Sequence, residues 1–71
     1  MEQNKLDAPV KEGDRFKLVC FGIGKGGDGL FKYDNFVIIV PNARIAATYN
    51  IKVTKVMPKF AFGIIEDSSA Y

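Results

Sequence analysis

Two apolar runs, LFKY at 30–33 and FVIIV at 36–40, are separated only by Asp34-Asn35. Both turn residues tolerate the left-handed backbone of a two-residue hairpin, so this stretch commits the chain to one antiparallel strand pair. The register follows from the turn: Tyr33 faces Phe36, Lys32 faces Val37, Phe31 faces Ile38 and Leu30 faces Ile39. One face then carries Phe31, Tyr33, Phe36, Ile38 and Val40, and the other carries Leu30, Lys32, Val37 and Ile39. Both are mostly apolar. Lys32 favours the second face as the outer one, because an unpaired buried ammonium is costly, but the sequence leaves open which face is core; an apolar outer face needs a cover or a ligand. Phe36, beside the turn, can lie at a barrel rim whichever face is core.

The same period of two recurs along the chain. In DRFKLVCFG at 14–22, Phe16, Leu18 and Cys20 alternate with Arg15, Lys17 and Val19. In YNIKVTKV at 49–56, Tyr49, Ile51 and Val53 point one way and Asn50, Lys52 and Thr54 the other. Pro41 ends the FVIIV strand, and NARIAAT at 42–48 is too short for more than a turn of helix. After Met57-Pro58-Lys59, FAFGIIED at 60–67 forms a last strand, with Phe60, Phe62 and Ile64 on one face and Ala61, Gly63 and Ile65 on the other. Either face is a candidate for the core. Five short strands at roughly ten-residue spacing predict an all-β fold, a small five-stranded antiparallel barrel whose closure protects its edges. The 71 residues suffice for one such domain, expected over 9–67, with a flexible segment at 1–8 and a tail at 68–71.

GIGKGGDG at 22–29 contains the G-x-G-x-x-G spacing of a dinucleotide-binding fingerprint. That fingerprint requires a helix to leave the glycines, since the helix N-terminus binds the pyrophosphate. Strand material follows instead. Thr48, Tyr49 and Asn50 occupy the neighbourhood where an acidic residue would hold the ribose, and Lys25 is followed by Gly26 rather than by the Ser or Thr of a P-loop. The glycines then serve as a loop that can turn sharply and expose backbone amides, and a strand connection with no ligand is an equal reading of this stretch.

Catalytic chemistry has little to work with. The chain has no His, the usual general acid or base and the commonest metal ligand. Asp28 and Asp34 sit in turn contexts, and Cys20, the one cysteine, alternates with strand core positions as a small buried thiol does. No enzyme activity, catalytic residue, cofactor or metal is expected. No apolar run approaches the ~20 residues of a membrane span, and the polar, acidic start has no apolar signal core, so a cytoplasmic protein is expected.

Charge is unevenly placed. Between residues 15 and 60, eight cations (Arg15, Lys17, Lys25, Lys32, Arg44, Lys52, Lys55, Lys59) face only Asp28 and Asp34, whereas both ends are acidic. A compact basic body is the footprint of a nucleic-acid binder. Phe60 and Phe62 lie close in sequence to Lys55 and Lys59, and rings mixed with cations form the usual platform for single strands: a ring stacks on any base while a nearby Lys holds phosphate. Core packing is the commoner role for any single Phe.

The ordered set PVKEGD, GKGGDGLFKYDNFVIIVPNA and IKVTKVMPKFAFGII resembles the TRAM domain over nearly the whole chain, from Ala8 to Asp67. That family is a small barrel appended to tRNA-modifying methyltransferases and methylthiotransferases, and it also occurs as stand-alone archaeal proteins. The resemblance implies an oligonucleotide-binding-like (OB-like) barrel that binds RNA and, in stand-alone form, acts as an RNA chaperone of cold-shock type. It implies as RNA-binding positions Lys32, where the family often has Arg, together with Phe36, Phe60 and Phe62; Lys25 and Lys59 join them as phosphate contacts. Ile39 departs from a frequent Phe, and Asn42 and Ala46 replace frequent glycines. The expected partner is single-stranded or partly structured RNA, including tRNA or rRNA, bound by a monomer with no membrane contact. The alternative is a non-catalytic barrel that docks on a ribosomal or tRNA-modification protein.

Overall fold

A computed structural model describes residues 9–66; the segments expected to be flexible, 1–8 and 68–71, lie outside the described residues. The chain forms six strands and, among the described residues, no helix: β1 (Arg15–Val19), β2 (Gly22–Ile23), β3 (Gly29–Tyr33), β4 (Phe36–Val40), β5 (Thr48–Val56) and β6 (Phe60–Ile65). They make one sheet in the order β1-β5-β6-β4-β3-β2. The sheet curls until β1 comes beside β3, where the rings of Phe16 and Tyr33 stack with centroids 4.2 Å apart. The all-β, barrel-like fold expected from the sequence is the fold observed.

Two details go beyond the five antiparallel strands expected. β2 is a two-residue strand within the glycine segment, paired to β3 through Gly22↔Leu30 and Ile23↔Gly29. β4 and β6 pair in parallel, Val37↔Phe60 through Ile39↔Phe62, because β5 separates them in sequence and returns the chain to the same direction. Side-chain period cannot distinguish the two senses of pairing.

The β3–β4 hairpin has the register its turn dictates, Tyr33↔Phe36 through Gly29↔Val40. Asp34 and Asn35 both have positive φ, at 52° and 64°, as a two-residue hairpin turn requires. Its inner face supplies Phe31, Ile38 and Val40 to a core completed by Ile51 and Val53 of β5 and by Cys20, all essentially inaccessible to solvent. Burying each larger aliphatic or aromatic side chain contributes about 1.5–3 kcal/mol. Gly63 faces the same interior, where a Cβ would stand 2.9 Å from both Ile51 Cγ2 and the Lys52 carbonyl oxygen. Only a bare backbone lets β6 lie this close to β5.

Both ends of the barrel are covered by turns. At one end Val10 is buried, and a turn in which the Asp14 carboxylate accepts the Lys11 amide (2.8 Å) leads into β1. At the other end the 41–47 loop places Ala43 against Gly29, and the Cys20 and Ala47 backbones join through a 2.9 Å bond. Asn42 and Ala46 have φ of 67° and 72°, so the two positions where the sequence lacks expected glycines keep a glycine-like backbone. Asn tolerates that region; for Ala it carries strain.

Candidate nucleic-acid interface

Strand register determines which outward side chains are neighbours. One row crosses the sheet from Lys55 of β5 through Phe62 of β6 and Ile39 of β4 to Leu30 of β3. A second row runs Phe60–Val37–Lys32. Inward positions on β6 are Ala61 and Gly63, both buried, so Phe60 and Phe62 are turned out, with Phe62 38% exposed. Their rings meet edge to face at 5.3 Å and 83°, which holds one ring against the other while leaving a face of the pair to solvent.

Cations border this apolar strip. Lys32 is exposed at the end of the second row, and its ammonium lies 5.6 Å from the centroid of the Phe21 ring. Lys59 is exposed in the β5–β6 turn, closed by the Met57 amide bonding to the Phe60 carbonyl at 2.7 Å. Register therefore brings Lys32, Phe60 and Phe62 to one outer face, and Lys59 precedes Phe60 in the turn. Lys25 is exposed in the loop between β2 and β3, which the Gly24 amide closes onto the Asp28 carbonyl at 2.8 Å. That loop enters β3 at Gly29, the end of the strand away from Lys32.

Phe36 requires a correction. It pairs with Tyr33 on the inner face and is only 9% exposed, so its ring belongs to the core and offers no surface for stacking. Adjacency to a turn placed it at the rim, but the inward alternation of β4 continues through its first residue.

Phe21 was not among the expected site residues, yet it is 49% exposed and stands beside Lys32. A signal for it exists in the sequence. If Phe16, Leu18 and Cys20 point inward, the alternation turns Phe21 outward with Arg15, Lys17 and Val19. Cys20 is fully buried, with its thiol 3.2 Å from the Gly22 carbonyl oxygen. Among the described residues no cluster of Cys, Asp and Glu could hold a metal, and no helix is long and apolar enough to cross a membrane.

No family model matches the chain. It is 41% identical over 58 residues to an uncharacterized protein of Methanocaldococcus jannaschii, a match covering 82% of this chain and 75% of that protein. The solution structure of a conserved protein of Methanococcus maripaludis superimposes with a TM-score of 0.81 at 39% identity, over 90% of this chain and 91% of that one. The chain belongs to the family these two proteins represent. It is also 36% identical over 62 residues to the ribosomal RNA large subunit methyltransferase E of Methanosarcina acetivorans, and 33% identical over 60 residues to that of Haloarcula marismortui. In both cases the chain spans 23% of the methyltransferase's length. What it shares with them is one segment of an RNA-modifying enzyme.

Proposed function

We propose that this chain is a TRAM-type RNA-binding barrel without catalytic activity, which binds single-stranded or weakly structured RNA, tRNA and rRNA included, with low sequence specificity. The observation that carries the proposal is the outward Phe60–Phe62 pair in register with Val37 and Ile39 and bordered by Lys32, Lys55 and Lys59. Rings of this kind stack on any base for about 1–3 kcal/mol each, while the cations hold phosphates. The segment shared with ribosomal RNA methyltransferases supports RNA as the ligand class.

A binder that prefers single strands to duplex melts weak hairpins by mass action, so chaperone activity of the cold-shock type needs no nucleotide hydrolysis. The protein acts in the cytoplasm on this reading. Fluorescence anisotropy of a labelled unstructured RNA, beside the matching DNA and an RNA duplex at two salt concentrations, tests it. Preference for the single-stranded RNA, with a log-log salt slope of about 0.7 per phosphate held, supports the proposal. A folded protein that binds none of the three contradicts it.

A second reading, docking on a ribosomal or tRNA-modification protein, draws on apolar side chains away from the Phe60–Phe62 pair. Ile45 is 59% exposed in the 41–47 loop, and Val19 is exposed at the end of β1. Co-purification of one protein partner with no RNA retained would favour it.

A further inference from the structure

Outside the platform, the described residues hold a second feature of the outer surface. Strand register aligns Arg15 of β1 with Lys52 of β5 and Ile64 of β6, and Lys17 with Asn50. A groove of about 310 Å3 lies there, lined by Arg15, Phe16, Lys17, Asn50 and Glu66. It is the size of a small-ligand cleft, and its cations are Arg15 and Lys17, with Lys52 beside Arg15 in register. Its one carboxylate already occupies an anion's place. Glu66 Oε1 lies 3.0 Å from Arg15 Nε, and the Glu66 backbone is fixed by the hydrogen bond its N–H donates to the Asn50 carbonyl at 2.7 Å.

From this geometry we infer that the β1–β5 groove is a second phosphate-binding subsite for the RNA strand, and that Glu66 is a built-in competitor that the phosphate displaces from Arg15. The inference rests on the RNA-binding reading above and extends the strand's path. In the row Arg15–Lys52–Ile64, Ile64 lies two residues along β6 from Phe62, so a strand stacked on Phe62 has a continuous outer surface leading to the groove. A guanidinium is suited to phosphate because its planar donors match two oxygens at once. The Arg15–Glu66 pair is solvent-screened, with the Arg15 side chain 66% exposed, so exchanging the carboxylate for a phosphate meets little resistance.

The test is anisotropy with a labelled oligouridine of about 15 nucleotides, near the upper site size of such barrels, using the full chain and its single and double variants. Glu66→Gln is expected to tighten binding about two- to five-fold at low salt and to steepen the salt slope by up to ~0.7, as one cation is released for phosphate. Arg15→Gln weakens binding, and in that background Glu66→Gln gives no gain. A gain of equal size with and without Arg15 would mean that Glu66 acts only as distant negative charge, and would overturn the inference. So would wild-type affinity in Arg15→Gln and Lys17→Gln when Lys32→Glu and Phe62→Ala lose binding, an outcome that leaves the platform standing. Wild-type protein that binds no RNA would remove both. Circular dichroism of each variant confirms the fold.

Discussion

The ring of Phe16 on β1 stacks on that of Tyr33 on β3, with centroids 4.2 Å apart and planes 25° from parallel. These two strands share no hydrogen-bonded ladder, since β1 pairs with β5 and β3 with β4 and β2. The stack is thus the side-chain clasp where the curled sheet meets itself. Tyr33→Ala is expected to cost about 2 kcal/mol in urea unfolding, from lost stacking and lost burial, whereas Tyr33→Phe stays within about 0.5 kcal/mol. Equal losses in both variants would assign the effect to the hydroxyl.

Ala46 has φ of 72° while its amide donates to the Cys20 carbonyl at 2.7 Å. An L-residue there bears roughly 1–2 kcal/mol of strain, and glycine removes it at a smaller cost in unfolded-state entropy. Ala46→Gly should therefore raise stability by about 0.5–1 kcal/mol. Asn42→Gly, at a residue that already tolerates this backbone, should change it by a few tenths at most.

Gly29 has no room for a side chain. A Cβ there would fall 2.5 Å from the Ala43 Cβ, 3.1 Å from the Cys20 thiol and 3.2 Å from the Val40 carbonyl oxygen. Gly29→Ala should destabilise by about 1–3 kcal/mol. In an Ala43→Gly background the loss should shrink by roughly 1 kcal/mol without vanishing, because two of the three close neighbours remain. A double-mutant cycle in denaturant measures that coupling.

Phe36 and Phe62 should behave oppositely on truncation. Phe36 is core, so Phe36→Ala costs about 3–5 kcal/mol of stability. Phe62→Ala leaves the fold intact and weakens RNA binding by about 1–3 kcal/mol with little change in salt slope. Lys32→Glu, by contrast, weakens binding and flattens the slope. Unfolding of the domain by Phe62→Ala would return that ring to the core.

The hairpin register was legible because Asp34-Asn35 leaves one pairing open, whereas its two mostly apolar faces left Lys32 as the one pointer to the outer side. β6 was less legible. Phe60, Phe62 and Ile64 are a more apolar set than Ala61, Gly63 and Ile65, so hydrophobicity alone points the wrong set inward. Gly63 decides the matter in space, since the β5 backbone passes where its side chain would be. The same limit hid the parallel β4–β6 pairing, which depends on how a distant strand is inserted. Once the inner faces of β3 and β6 are fixed, strand alternation turns Lys32, Phe60 and Phe62 to the outer surface. The inward direction of Phe36 is hidden by its position beside a turn, whereas the outward direction of Phe21 follows from its alternation with the buried Cys20.

The central claim is that the outer face of β3, β4 and β6 meets RNA. Its most direct test is an NMR titration of isotopically labelled protein with an unstructured oligoribonucleotide, following backbone amides and aromatic ring protons. The account predicts the largest shifts at Phe60, Phe62, Lys32, Ile39 and Phe21, with the buried rings of Phe31 and Phe36 moving little. Shifts centred on the 41–47 loop and Val19, with the Phe60–Phe62 pair unmoved, would contradict it.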